Sequence, residues 1–206
     1  MIRFRKPMLR LSREGVSLRI PVPFERNILK SIPDFDLEVD QGLKLNVGGG
    51  KNHPQMDEWT VVDIRSHADV VIDISREPLP YADNSVDVIF TSHTLEHIVP
   101  QRLAFVLEEF RRVLKDENSL LRIIVPDITK AIKAYINNDK AFFDHTHVSG
   151  APKGAPIGGE LAAWFYSTRL DKQTGELSDL LGHVHCFDFE YLSWHLQQAG
   201  FTDIYK

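Results

Sequence analysis

Five short apolar runs, amphipathic helical stretches between and after them, and a three-glycine turn directly behind the first run predict an α/β fold. The expected architecture is a doubly wound, Rossmann-like, mostly parallel sheet. With 206 residues, 43% of them apolar and 26% charged, the chain is long enough to bury one stable core.

The first 40 residues are expected to form an N-terminal extension. Within it, Val16 to Pro23 alternates like a short strand and ends in prolines, and Phe24 to Asp36 suits a short helix broken by Pro33. Residues 41–206 form the expected main domain. Leu43 to Val47 reads as its first strand and runs into Gly48, Gly49 and Gly50. Trp59 to Ile64, Asp69 to Ile74, Val86 to Phe90 and Leu120 to Val125 complete a set that is apolar on both faces, as buried parallel strands are.

From Pro100 to Lys115, Leu103, Val106, Leu107, Phe110, Val113 and Leu114 recur at helical spacing, with charged residues on the opposite face. Pro100 suits a first helical turn, where its missing N–H costs nothing. Asp127 can cap a second helix and Asp188 a third, the latter stopped by Gly200. Between them the pattern lapses over an insertion at about residues 140–187. Ser149 to Gly159, with four glycines and two prolines, reads as a loop, and Glu160 to Leu170 as an apolar helix. Long connections in such folds cover active sites, so the insertion is expected to act as a lid over an acceptor.

A lone cysteine, Cys186, forms no internal bridge, which points to a reduced cytoplasm. The longest apolar run, Leu161 to Tyr166, is far short of the roughly 20 residues of a membrane helix. Residues 1–30 carry eight lysines and arginines against two acids, and residues 31–206 carry sixteen against twenty-seven. An acidic body lacks the continuous basic footprint that nucleic acid requires. The basic start suits either an ordered extension with solvated arginines or a targeting or binding arm.

In a doubly wound sheet the ligand lies at the carboxyl ends of the strands. Gly48, Gly49 and Gly50 stand there, where side chains would keep a cofactor from the backbone. Asp63 ends the second strand fifteen residues after Gly48, where a carboxylate accepts the hydroxyls of a ribose. No third glycine opens a helix after this turn, and only about ten residues separate the two strands, so the dinucleotide fingerprint is missing. A nucleoside-containing cofactor without phosphates fits better.

Eight segments in order, Leu45 to Gly50, Val62 to Ile64, Asp73 and Ile74 with Pro78 to Tyr81, Asn84 to Ile89, Ser92 to His97, Phe110 to Lys115, Arg122 to Asp127 and Ala199 to Phe201, resemble the class I S-adenosylmethionine-dependent methyltransferases, in particular the type 11 group. The resemblance runs from about Leu43 to Tyr205. It implies that Gly48 and Gly50, with Asn46 and Gly49 in the same turn, line the methionine and ribose end of S-adenosylmethionine. Asp63 with Ile64 would hold the ribose, Asp73 would face the adenine amino group with Ile74 beside the ring, and Ser92 and His93 would border the sulfonium. Three departures stand out: Asn46 where an acid is usual, Glu117 and Asn118 where glycines are usual, and no strand after the one expected to begin at Phe201. The last suggests a truncated C-terminal edge.

Histidine accepts protons near neutral pH, which makes His93, and after it His97, candidate catalytic bases. Each has the competing reading of local packing or solvation. Spacing of four also resembles a metal pair on a helix, but the order is not that of the zinc-protease motif. His145 with His147 and His183 with His185 are alternate pairs that would share one face of an extended segment. They suit acceptor binding or plain polar loops, and without a cysteine cluster no metal is expected. Trp164, Phe165 and Tyr166 suit a core better than a stacking platform. The expected activity is methyl transfer from S-adenosylmethionine to an oxygen or nitrogen of a small-molecule or saccharide-like acceptor. The alternatives are an NAD-dependent oxidoreductase or epimerase, and a methyltransferase-like binding module without activity.

Overall fold

A computed structural model describes residues 42–50, 58–115, 119–146, 151, 154–166, 169–170, 177–178 and 182–206. The expected N-terminal extension, with its strand and helix, lies outside them. Five strands, β1 (Lys44–Val47), β2 (Trp59–Asp63), β3 (Val70–Val71), β4 (Val88–Ser92) and β5 (Leu120–Ile124), form one sheet in the order β3-β2-β1-β4-β5. Every pairing in it is parallel. The chain therefore winds outward from β1 to β3, returns, and winds the other way through β4 and β5. That reversal leaves a crevice beyond the carboxyl ends of β1 and β4, the place where such sheets take ligands.

The core follows from the apolar periodicity. Leu45 and Val47 of β1, Val62 of β2 and Ile89 of β4 pack against Leu103, Val106, Leu107, Phe110 and Val113 of helix α1 (Pro100–Val113), whose Pro100 opens its first turn. Helix α2 (Ile128–Ile136) is capped by Asp127, which accepts from the Thr129 amide at 2.9 Å. Helices α3 (Lys140–Thr146) and α4 (Ile157–Phe165) follow it, and α5 (Phe189–Gln198) is capped by Asp188 and closes against α1. Gly200, at φ +91°, ends α5.

Four expectations need correction. The third strand is reduced to Val70–Val71 because it forms the sheet edge, where Val71 is exposed and Asp73 already turns the chain. The fourth begins two residues late, since Val86 makes only an isolated bridge to Leu114. The apolar helix of the insertion starts at Ile157 and ends at Phe165, and Arg169–Leu170 instead pairs antiparallel with Leu177–Ser178 as β6 and β7. Residues 201–206 form no strand: Phe201 and Ile204 pack on the core, and β5 is the sheet edge among the described residues. The insertion also carries α3, which the sequence reading missed. Ala131, Ala134 and Phe143 form a small second core there with Phe142, Ile157, Leu161 and Trp164.

The segment leading into β4 is clamped to α1 by charge. Glu109 accepts from the Leu79 amide at 2.9 Å and from Arg112 at 2.8 Å, and Arg112 also donates to the carbonyls of Leu79 and Tyr81. The hydrogen bond from Arg112 holds Glu109 below its ordinary value of 4.5, against the opposing effect of burial. A depressed carboxyl contributes stability that is present above its unfolded value and lost as pH falls through its folded one. Arg112→Ala should therefore cost about 2–3 kcal/mol in urea denaturation at pH 7. Glu109→Gln should flatten the decline of Tm below pH 4.5; an equal decline in the variant would show that the clamp is not the acid-sensitive element.

Candidate functional site

The glycine turn is shaped by contacts a side chain would destroy. Gly48 has φ +75°, donates to the Val62 carbonyl at 2.7 Å, and a Cβ on it would run into Thr94 Oγ1. Thr94 itself lies behind β4 and donates to the Val47 carbonyl at 3.4 Å, so the crevice between β1 and β4 is laced across its floor. At Gly49 a Cβ would stand 2.9 Å from Asn46 Nδ2, which places the buried Asn46 directly under the turn. At Gly50, with φ +64°, the nearest atom among the described residues to where a Cβ would be is Arg65 Nη1, at 3.9 Å.

Asp63 closes β2 with its side chain 3% exposed. One oxygen accepts the Gly50 amide at 2.9 Å, the other the Arg65 amide at 2.9 Å, and the Arg65 guanidinium lies 3.5 Å away. Ile64 beside it is exposed. Asp73 accepts the Ser75 amide and hydroxyl and pairs with Arg76 at 3.2 Å. Ile74 is packed into the main core, so the face expected to flank an adenine ring is largely covered.

Behind β4, Ser92 is half-buried and His93 has φ +53°. Positive φ is uncommon outside glycine and persists where the surroundings impose it, often at functional sites. The His93 amide donates to the Ile124 carbonyl at 2.9 Å, and its ring, 48% exposed, places Nδ1 3.1 Å from Glu96 Oε1. Glu96 is 1% exposed. Burial lowers the affinity of His93 for a proton, but the hydrogen bond and charge of Glu96 together outweigh it, so the imidazole is held above its ordinary value. The partner of His93 was missed in the sequence, although residues three apart in a helical turn share a side.

His97 ends the single 3-10 turn Leu95–His97 and donates Nδ1–H to the Gly182 carbonyl at 2.7 Å. Of the paired histidines whose side chains are described, His183 comes to this edge and His185 does not. His183 donates Nδ1–H to the Trp164 carbonyl at 3.0 Å, and its ring lies 5.2 Å from that of His97. Burial pulls His183 down. His185 does not share its face: it is 7% exposed, packs on Phe187 and reaches the Tyr191 hydroxyl at 3.2 Å. His145 lies on helix α3 rather than in an extended segment, and His147 is outside the described residues. Trp164 joins the second core, while Tyr166 is exposed.

The arrangement fits an adenosine-containing cofactor. Asp63 and Asp73 stand at or behind successive strand ends, and Oδ2 of each, with one partner apiece among the described residues, keeps a second lone pair to offer. Residues 45–121 match the model of a family described as a methyltransferase domain. The match spans 77 of the 206 residues, and over that stretch the chain is similar to a methyltransferase domain. S-adenosylmethionine is the cofactor that this likeness implies. Among solved structures, the chain is similar to an S-adenosylmethionine-dependent methyltransferase from Archaeoglobus fulgidus (18% identity, TM-score 0.48, 79% of this chain and 62% of that one). A second, from Methanosarcina mazei, has 18% identity and TM-score 0.49, with 76% and 77% covered. A third, from Mesorhizobium loti, has 11% identity and TM-score 0.40, with 78% and 74% covered. No curated protein matches the chain.

Asp63→Ala should weaken S-adenosylhomocysteine binding by about 1.5–3 kcal/mol, the range for hydrogen bonds to a charged group. Isothermal calorimetry showing unchanged affinity would remove Asp63 from the site. Gly48→Ala should destabilise the domain by more than about 2 kcal/mol, because a strained φ and a steric clash add. Thermal unfolding without ligand measures that.

Proposed function

We propose that this chain methylates an oxygen or nitrogen atom of a small-molecule or saccharide-like acceptor, with His93 taking the acceptor's proton. The observation that carries the reading is the His93–Glu96 pair at the mouth of the crevice. With Nδ1–H directed to Glu96, the neutral imidazole presents its lone pair at Nε2, on a ring that is half-exposed at the carboxyl edge. S-adenosylmethionine, when bound, supplies an electrophilic methyl group on a sulfonium. The protein's part is to align the acceptor for in-line displacement and to remove its proton as the new bond forms.

The other site residues take roles in the same scheme. Asp63, with Ile64 beside it, holds the ribose, and Asp73 faces the adenine with one edge of Ile74 near the ring. Asn46, Gly48, Gly49 and Gly50 line the methionine end, and Ser92 with His93 borders the sulfonium. His97, tied to Gly182, positions the insertion against the catalytic turn rather than acting as the main base. His183 faces the acceptor, and His145, His147 and His185 contribute to acceptor binding by shaping the insertion. Cys186 is a free thiol, consistent with a cytoplasmic setting, and no helix among the described residues is long and apolar enough to cross a membrane.

His93→Ala should lower turnover by about 10²- to 10⁴-fold while leaving S-adenosylhomocysteine affinity nearly unchanged. Product formation is read by release of S-adenosylhomocysteine against a panel of hydroxyl and amine acceptors. Equal turnover in the variant would reassign the base. Cofactor binding without turnover on any acceptor would favour a binding module. A rise in melting temperature with NAD but not with S-adenosylhomocysteine would favour the oxidoreductase reading.

A further inference from the structure

We propose that Glu96, His97 and His183 form a binding site for one divalent first-row transition-metal ion at the mouth of the crevice. Each offers one ligand atom, and the three atoms lie within 4.8 Å of one another. The residues come from two places in the chain, the turn after β4 and the end of the insertion, so the fold alone brings them together.

Three features of the cluster point to an ion. Both histidines spend Nδ1–H on a backbone carbonyl, His97 on Gly182 and His183 on Trp164. Such hydrogen bonds fix ring orientation and tautomer in metal-ligating histidines. Glu96 supplies the second feature. Its Oε1 is used by His93, while Oε2 is buried and has no hydrogen-bond partner among the described residues. An unpaired buried carboxylate oxygen carries a desolvation cost that a cation removes directly. The third is the backbone: the amides of Val184 and His185 donate to the Glu96 carbonyl at 2.9 and 3.1 Å, which holds the His183 segment against the turn.

Two imidazole nitrogens and one carboxylate oxygen suit zinc, cobalt, iron or manganese better than calcium or magnesium, which prefer all-oxygen sets. Ligand atoms around a tetrahedral zinc stand roughly 3.4 Å apart, given bonds of about 2.0–2.1 Å. The cluster would contract by a little over about 1 Å at its widest to reach that geometry. Three protein ligands leave at least one position open, the pattern of sites that bind water or a substrate oxygen. An acceptor bearing a hydroxyl or carboxylate would then be drawn to the edge where His93 stands. The metal site is independent of whether methyl transfer occurs.

The test is titration of the full chain with cobalt(II), followed by visible ligand-field absorption, with zinc displacing it. A saturable one-to-one site is expected. His183→Ala and His97→Ala should each weaken it by at least about 100-fold, a loss larger than those seen for residues that only support ligands. Glu96→Gln keeps the shape and should weaken it too; since that residue is buried, His183→Ala carries the test if the glutamine variant does not fold. His67→Ala, at an exposed turn between β2 and β3, should bind as the parent does. Absence of a saturable site, retention of it in His183→Ala, or its loss in His67→Ala would each overturn the assignment.

Discussion

The edge beyond β4 depends on one buried glutamate. Glu96 sits 1% exposed in the turn after β4 and is engaged on three sides: by the His93 ring through its side chain, by the Val184 and His185 amides through its carbonyl, and by the neighbouring His97 bond to Gly182. Removing a carboxylate from water costs several kcal/mol, so a buried one persists where its surroundings answer it. Here the His93 ring takes one carboxylate oxygen, while the backbone carbonyl of the same residue receives the Val184 and His185 amides. One residue therefore ties the insertion to the turn that carries His93.

The turn stays in place because the sheet beneath it is rigid. Leu95, beside Glu96, is fully buried in the main core with Leu103 and Leu107 of α1. The Thr94 hydroxyl reaches across to the end of β1, and the His93 amide is held by Ile124 of β5. A left-handed φ at His93 costs on the order of 1–3 kcal/mol, which this frame is able to hold. Core packing thus reaches the candidate site through backbone geometry, by holding the turn that carries the His93 imidazole.

Much of this was legible in the sequence where it is local. The apolar spacing of α1, the caps Asp127 and Asp188, and the valine-rich strands each depend on neighbours within a few residues. The edge strand β3 was overestimated because its apolar residues read as buried, whereas a strand paired on one side ends early. The insertion was least legible: α3 is short, and its two phenylalanines bury against α2 and α4 rather than the sheet. The meeting of His97 with His183, 86 positions apart in sequence, obeys no spacing rule at all. Alternation of His183 and His185 pointed instead to a shared face, and the packing of Phe187 and Tyr191 around His185 divides the pair.

Asp63 shows how the residue proposed to hold a ribose also organises the fold around it. Its carboxylate already receives the Gly50 and Arg65 amides, so it draws the glycine turn and the start of the next segment toward the end of β2. An ionised carboxylate offers about four lone-pair directions, and two amides and a distant guanidinium leave room for further donors. The Gly50 amide bond to Asp63 couples the turn and the carboxylate. Gly50 is explained by its own left-handed φ of +64°, and Gly48 by a left-handed φ together with its packing against Thr94.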